Sequence, residues 1–254
     1  MMWRVAKRSS SRSGRNWFTL LGVVAVAAAL VFVGVGVAVS TSRSEPASTT
    51  GYVPPEPKKY DYLRVAVLGD SYTVGVGSTS NNGYATQAEQ RYCWRLNAQG
   101  ESSTGYVNTA PDGSPPFTDV GRIAETVSDD PQVIIVQGST NDAGKPGVRE
   151  AAESVYRALR AGAPNATIVA VGPTDAPIVP DQALAEIRDQ VRAAADASGV
   201  QFVDPLELGW LRDETLYGSD RLHPTDSGHK TMAEDLHNVL VERGISTRDY
   251  CAAV

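Results

Sequence analysis

The chain contains 254 residues, of which 23 are basic and 29 acidic, so its formal net charge at pH 7 is −6. A chain of this length forms one large domain or two small domains. The acidic balance argues against nucleic acid and anionic lipid head groups as partners, because both are bound by clustered lysine and arginine.

The amino-terminal region predicts a membrane segment. Residues 1–16 carry five cationic side chains and no acidic one, a bias that places such a stub in the cytoplasm. Residues 17–39 contain no charged side chain, and a helix of this length crosses a hydrocarbon layer of about 30 Å. We therefore expect a single transmembrane helix followed by an exported region. The alternative is a signal peptide cleaved near Ser40, although the apolar core of such a peptide usually has only about 7–15 residues.

Residues 40–60 are rich in serine, threonine and proline and lack apolar periodicity, which predicts an extended tether. Residues 61–250 are then predicted to form one folded domain, since this length supports a sizeable core. Without the five cations of the stub, the exported part has 18 basic and 29 acidic residues, a net charge of −11. This value strengthens the argument against nucleic acid as a partner.

Short apolar runs in the domain predict β-strands, and longer periodic stretches predict helices. The strands are expected at 63–69, 132–138, 166–172 and 200–204. The helices are expected at 84–98, 148–162, 181–199 and 226–244. Strands that alternate with helices of this length predict right-handed crossovers and a mainly parallel sheet. The expected fold class is α/β, in the form of a three-layer α/β/α sandwich.

The segment 97–130 breaks this pattern, because glycine, proline and polar residues interrupt it throughout. Its stretch "GYVNT" (105–109) is the candidate for a short further strand. Long irregular segments inside compact domains are usually functional or disordered. We interpret this one as a functional loop.

A serine, a histidine and an aspartate are the candidates for nucleophilic chemistry. Ser71 follows the first predicted strand in "RVAVLGDSYTVG", where open α/β sheets usually build a ligand crevice. A serine nucleophile needs a base and a group that orients the base. In "GSDRLHPTDSGH", Asp220 precedes His223 by three residues, so a turn can bring the carboxylate onto one imidazole nitrogen and leave the other for Ser71. We expect His229 and His237, on the last helix, to be surface or half-buried structural residues.

Two further residues are candidates for binding an oxygen that becomes negative during ester hydrolysis. Asn141 follows the second clear strand in "VQGSTND", and its amide can donate a hydrogen bond. An Asx turn with Asp142 is the alternative interpretation of this stretch. Gly105 lies in the irregular segment, where a glycine backbone can approach a ligand closely and donate its N–H.

These segments together resemble the sequence blocks of the SGNH or GDSL-type serine hydrolases. "GDSYTVG" is similar to the first block, "QGSTND" to the third and "DRLHP" to the last. The sequence departs from the family at Tyr72, where leucine is usual, and at Ser139, where glycine is usual. The second block is the weakest match, and either Gly105 or Ser103 takes the place of its glycine.

The resemblance implies a flavodoxin-like SGNH hydrolase fold and a role for each candidate. Ser71 is implied as the nucleophile, with Asp220 and His223 completing a triad. The oxyanion hole is implied to consist of the Ser71 N–H, a second-block N–H from Gly105, and the amide of Asn141. The expected activity is hydrolysis of acyl esters through an acyl-enzyme, with no metal or cofactor required.

We therefore expect an extracytoplasmic, membrane-tethered esterase that acts on small-molecule, lipid or carbohydrate acyl esters. An acyltransferase that uses the same residues is one alternative, and a non-catalytic envelope-binding module is another. Aromatic and proline residues of the loop 100–120 either line an acyl pocket or pack as a local cover; they are Tyr106, Pro115, Pro116 and Phe117.

The two cysteines, Cys93 and Cys251, are predicted to form a disulfide, because an exported domain meets an oxidising compartment. This bond would hold the carboxyl-terminal tail beside the first long helix. The alternative is a buried free thiol at Cys93 and a frayed terminus that carries Cys251.

Overall fold

A computed structural model of the protein describes residues 62–246, which belong to the compact unit Glu56–Val254. Within this range no helix has the length and apolar character needed to span a membrane. The predicted stub, transmembrane helix and tether (1–16, 17–39 and 40–60) lie outside the described residues. Cys251 lies outside them as well, so its disulfide with Cys93 stays a prediction.

Five parallel strands form the sheet of the described domain. They are Leu63–Gly69 (β1), Trp94–Gly100 (β2), Val133–Gln137 (β3), Thr167–Val171 (β4) and Gln201–Val203 (β5). The strand order is β2-β1-β3-β4-β5. The chain therefore places β2 on one side of β1 and then adds β3, β4 and β5 on the other side. Sheets of this order bind ligands outside the carboxyl ends of the strands at the point where the direction reverses. The topology therefore directs attention to the ends of β1 and β3.

Helices cover both faces of the sheet. In chain order they are Ser71–Val74 (α1), Tyr84–Tyr92 (α2), Val120–Val127 (α3), Val148–Gly162 (α4), Asp181–Ser198 (α5), Pro205–Leu208 (α6) and Asp226–Glu242 (α7). Alternate side chains of β1 enter opposite cores, with Val65 and Val67 on one face and Ala66 and Leu68 on the other. The first core is closed by α2 and α7, and the second by α4 and α5 with help from α3. The predicted α/β class with a parallel sheet and helices on both sides is confirmed.

The prediction of one helix over 84–98 is wrong. The helix α2 ends at Tyr92, Cys93 adopts a left-handed backbone conformation with φ 53°, and the chain continues as the edge strand β2. Trp94 is buried, but Arg95 and Ala98 are exposed and the rest of β2 is half-buried, so the strand lacks the apolar run of the interior strands. The sequence pattern therefore did not show the boundary between the helix α2 and the half-exposed edge strand β2.

The segment between β2 and β3 also differs from its prediction. No strand forms at 105–109; instead the chain turns around a buried carboxylate described below. Tyr106 and Phe117 are fully buried, with their rings 5.1 Å apart, so they pack in the second core rather than lining an open pocket. The helix α3 was not predicted; the Asp119 side chain begins it by accepting hydrogen bonds from the N–H groups of Gly121 and Arg122, a standard N-cap.

Candidate active site

Ser71 is the first residue of α1, directly after β1. The Asp70 carboxylate caps this one-turn helix by accepting the Tyr72 N–H at 2.9 Å, so Asp70 fixes the turn that follows β1. Because the first N–H groups of a helix have no intrahelical acceptor, the Ser71 N–H is free of the helix. No acceptor for it occurs within residues 62–246. The strand end and the cap therefore present both the hydroxyl and the N–H of Ser71 at the carboxyl edge of the sheet.

The structure brings His223 and Asp220 to Ser71. Asp220 Oδ1 accepts the backbone N–H groups of Leu222 and His223, each at 3.0 Å, which forms a tight turn before α7. Asp220 Oδ2 lies 2.7 Å from His223 Nδ1, and His223 Nε2 lies 3.0 Å from Ser71 Oγ. With the proton on Nδ1 bonded to the carboxylate, Nε2 is the acceptor for the serine hydroxyl. This tautomer is the one that a general base requires.

The charge of Asp220 is favoured by the same turn. Partial burial would raise the pKa of this carboxyl, but the bonds from the His223 ring and from two backbone N–H groups outweigh burial and lower it. Asp220 therefore remains an anion that holds the imidazole and can stabilise an imidazolium.

Tyr72, the residue that departs from the family motif, links the serine segment to the histidine segment. Its hydroxyl donates to the Leu222 carbonyl at 2.5 Å, and its ring centroid lies 6.2 Å from that of His223. A leucine at this position cannot make the hydrogen bond. From the sequence, Tyr72 was recognised only as a departure from the family motif. A buried tyrosine hydroxyl usually has a hydrogen-bond partner, and a search for that partner is what could have assigned Tyr72 a role.

Gly77 allows the loop after α1 to approach the histidine segment. Its φ is +94°, and a Cβ at this position would lie 2.4 Å from the Pro224 carbonyl oxygen and 2.9 Å from His223 Cβ. Only glycine combines this backbone conformation with such a close approach.

The other two histidines are structural, but both are buried rather than at the surface or half-buried as expected. His229 Nδ1 accepts the Tyr84 N–H at 3.2 Å, so Nε2 carries the proton and donates to the Val76 carbonyl at 3.0 Å. Burial lowers the pKa of His229, which keeps this bridging imidazole neutral. His237 stacks on Tyr92 with the ring centroids 3.6 Å apart.

Asn141 lies just beyond β3, in the short helical turn Thr140–Asp142. Its Nδ2 donates to the Thr104 carbonyl at 2.8 Å and to Ser139 Oγ at 3.0 Å. Ser139, the second departure from the family motif, also donates its hydroxyl to the Thr104 carbonyl at 2.9 Å. The amide of Asn141 is thus held against the loop that follows β2.

The Gly105 N–H is not available as an oxyanion donor, because it donates to the Asn108 carbonyl at 3.1 Å. Gly105 is instead required by Asp142: a Cβ on this glycine would lie 2.5 Å from both carboxylate oxygens. Asp142 accepts the backbone N–H groups of Tyr106, Val107 and Asn108 at 2.7 to 3.1 Å. Gly105 therefore allows the loop to fold closely around the Asp142 carboxylate.

Ser103, the alternative in the second block, is better placed. Gly69 pairs with Gly100 where β1 and β2 end, so the residues just beyond β2 run beside the Ser71 turn. Ser103 adopts a left-handed conformation with φ 60°, which glycine favours. Its N–H meets no acceptor in the described part of the chain.

Comparison with known proteins identifies the family to which this chain belongs. Residues 67–231 match the sequence pattern of the GDSL-like lipase/acylhydrolase family. The chain belongs to this family. This GDSL hydrolase is 30% identical over 188 residues to the GDSL lipase Rv0518 of Mycobacterium tuberculosis (strain ATCC 25618 / H37Rv), covering 68% of the present chain and 79% of that protein.

Solved structures share the fold of this GDSL hydrolase at low sequence identity. The lipase/acylhydrolase from Enterococcus faecalis superposes with a TM-score of 0.56 and 14% identity, over 71% of the present chain and 96% of that chain. A family two carbohydrate esterase from Clostridium thermocellum, solved in complex with cellohexaose, gives a TM-score of 0.57 and 20% identity, over 74% and 66% of the two chains.

Proposed function

We propose that the protein is a serine esterase that hydrolyses acyl esters with Ser71 as nucleophile, His223 as general base and Asp220 as the orienting carboxylate. The observation that carries this proposal is the continuous hydrogen-bonded chain from Asp220 Oδ2 through the imidazole to Ser71 Oγ, with steps of 2.7 and 3.0 Å. Membership of a hydrolase family supports the reaction class.

The reaction follows from these contacts. Ser71 Oγ attacks the acyl carbonyl carbon while its proton passes to His223 Nε2, and the resulting imidazolium is stabilised by Asp220. His223 then gives the proton to the departing alkoxide, which leaves as an alcohol and yields an acyl-enzyme. Water attacks the acyl-enzyme with the same histidine as base, and release of the acid restores the Ser71 hydroxyl.

The oxyanion of each tetrahedral intermediate needs donors at fixed positions. We assign these to the N–H groups of Ser71 and Ser103 and to Nδ2 of Asn141. In the present structure Nδ2 is engaged by Thr104 and Ser139, so Asn141 exchanges one of these bonds for the oxyanion when the intermediate forms. The backbone donors need no such exchange.

We further propose that the domain acts outside the cytoplasm and is held at the membrane by residues 17–39. The uncharged run, the basic stub before it and the tether 40–60 support this arrangement. The proposed substrates are small-molecule, lipid or carbohydrate acyl esters, and the fold shared with a carbohydrate esterase supports testing acetylated carbohydrate. An acyltransferase would use the same acyl-enzyme with a sugar hydroxyl in place of water.

A panel of p-nitrophenyl esters of increasing chain length, run beside acetylated oligosaccharides, tests the esterase proposal. We expect Ser71→Ala and His223→Ala each to lower turnover by several orders of magnitude, as is typical of triad members that act as a unit. Ser128→Ala is the matched control, since this serine is exposed and its hydroxyl bonds only the Glu125 carbonyl. Unchanged hydrolysis by purified Ser71→Ala protein would rule out the mechanism, and acyl transfer to added sugar would favour the transferase.

The membrane proposal is tested by fractionation. We expect the full chain to sediment with membranes and to be digested by protease added outside the cytoplasmic membrane. A mature amino terminus near Thr41 in the secreted fraction would instead establish a cleaved signal peptide.

A further inference from the structure

Arg122 is a buried cation on α3, with only 7% of the residue exposed. Its guanidinium donates four hydrogen bonds of 2.8 to 2.9 Å, and the acceptors are Gly69 O, Gln99 O, Thr104 Oγ1 and Pro115 O. The guanidinium also lies over the Phe117 ring, 5.1 Å from its centroid. One side chain thus binds the end of β1, the end of β2 and two points of the loop that follows β2.

The bonding pattern is unusual for a role in stability alone. Within residues 62–246 every hydrogen-bond acceptor of the Arg122 guanidinium is a neutral oxygen, and Nε has no acceptor. Burial accordingly lowers the pKa of Arg122, although nearby acidic residues oppose this shift. Burying a charge without a bonded counter-charge is costly, and apolar replacements of buried charges are often neutral or stabilising. The position of the four acceptors indicates what the cation provides.

Two of the four acceptors lie beside residues of the proposed site. Gly69 lies two residues before Ser71, and Thr104 directly follows Ser103. Thr104 also connects Arg122 to Asn141, because its Oγ1 accepts from Arg122 at 2.9 Å while its carbonyl accepts from Asn141 Nδ2 at 2.8 Å. Arg122 is therefore two hydrogen bonds from Asn141 and directly bonded to the residue next to the Ser103 N–H.

We propose that Arg122 is a positioning residue that fixes the oxyanion donors relative to Ser71. The inference rests on the proposed esterase function. Arg122 holds the end of β1 and the loop after β2 at one spacing, so the Ser71 and Ser103 N–H groups are in place before substrate binds, and it also holds Thr104, whose carbonyl orients Asn141. Preorganised backbone donors lower the barrier because they need no rearrangement in the transition state. Arg122 makes no hydrogen bond to Asp220 or His223, so proton transfer within the triad does not depend on it.

The test compares variants of the full chain with p-nitrophenyl acetate as substrate. We expect Arg122→Met to lower kcat on the order of 10- to 100-fold, less than the roughly 100- to 1000-fold cost of losing an oxyanion donor itself, with little change in KM. Thr104→Val, which removes the hydroxyl that accepts from Arg122 and donates to the Glu101 carbonyl, should lower kcat in the same direction. Arg160→Met is the control for loss of an arginine, because Arg160, an exposed residue of α4, also donates to backbone carbonyls, those of Ser198 and Gly199, which lie before the amino end of β5 and so away from the carboxyl ends of the strands.

Two readouts separate positioning from general damage. In a double-mutant cycle, Asn141→Ala should cost less in the Arg122→Met background than in the wild type, since the two residues act in one network. Guanidinium chloride at tens of millimolar should restore part of kcat to Arg122→Ala, where space for the ion is left, and should not restore Arg122→Met. The pH dependence of kcat should keep the wild-type midpoint in every variant, since the triad is untouched.

The outcomes distinguish this inference from the proposed function. A wild-type chain without Ser71-dependent hydrolysis would overturn the proposed function and the role of Arg122 with it. If the wild type is active, a folded Arg122→Met protein with wild-type kcat would refute only the role of Arg122, as would strictly additive losses with Asn141→Ala. If the Arg122 variants do not fold, Thr104→Val decides: a well-folded Thr104→Val protein with wild-type kcat overturns the inference.

Discussion

The pH dependence of stability should carry a contribution from Asp70 that has the opposite sign to that of a salt-bridged carboxylate. Asp70 is 1% exposed, and burial raises its pKa from 3.8 to about 6, against the opposing effect of the hydrogen bond from the Tyr72 N–H. Because the folded-state pKa lies above the unfolded value, the contribution is fully present below the unfolded pKa and is lost as pH rises through about 6. The difference of roughly 2.2 pKa units corresponds to about 3 kcal/mol when both states are ionised.

Asp70→Asn isolates this effect, because asparagine is neutral at every pH and its Oδ1 can still accept the Tyr72 N–H. The two pKa values give the contribution of Asp70 ionisation to the free energy of unfolding at pH 4 and at pH 8. From the difference, we expect the stability of the variant relative to wild type to rise by about 2.4 kcal/mol between pH 4 and pH 8. Urea unfolding at constant ionic strength, followed by circular dichroism, measures this difference. Using a difference cancels the titration of groups that the two proteins share.

Asp112→Asn is the control for Asp70→Asn. Asp112 lies in an exposed turn, where the Ser114 N–H lowers its pKa, so its contribution to stability is lost as pH falls. The stability of Asp112→Asn relative to wild type should therefore decrease slightly as pH rises, opposite in sign to Asp70→Asn. A difference between Asp70→Asn and wild type that stays constant from pH 4 to pH 8 would refute the assignment of a raised pKa to Asp70.

Three further changes test the local geometry. Gly77→Ala should lower kcat by at least about 10-fold while the fold persists, because the added Cβ displaces His223 and small misplacements of catalytic groups are costly; steady-state kinetics with circular dichroism measures this. Asp142→Ala should lower the free energy of unfolding by about 3 kcal/mol, since one buried and two half-buried N–H groups lose their acceptor, and unchanged urea unfolding would contradict it. Mass spectrometry of an unreduced digest should find the Cys93 and Cys251 peptides joined, and recovery of both as alkylated thiols would exclude the disulfide.

The sequence predicted elements well where burial gives a strong pattern. β1, β3 and β4 lie in the interior of the sheet and are apolar on both faces, and the long helices α4, α5 and α7 have clear apolar stripes; each was predicted to within about two residues. The edge strand β2 was merged with α2, because one exposed face leaves the pattern ambiguous. α3 was missed, because eight residues after a loop rich in glycine and proline give little periodicity to detect.

Site residues follow a similar division. Ser71, His223 and Asp220 were predictable because their chemistry requires particular side chains at strand ends and turns. The second oxyanion donor was not, because a backbone N–H has no sequence signature and its availability depends on how the loop closes. That closure is set by Asp142, which draws three N–H groups around itself and in doing so engages the segment at Gly105. The proposal of Ser103 in place of Gly105 therefore rests on a carboxylate 37 residues further along the chain than Gly105.

The sequence predicted no role for Arg122, for a similar reason. A single arginine on a short helix is typical of a solvated face, and three of its four acceptors are backbone carbonyls, which any residue supplies. The Gly69 and Gln99 carbonyls lie close together because the paired parallel strands β1 and β2 end at one edge of the sheet. A buried cation at that edge bonds both carbonyls and joins them to the loop that follows β2, at Thr104 and Pro115. The carboxyl edge of the parallel sheet thus forms the crevice for a substrate, and a buried arginine at this edge fixes the segments that line the crevice.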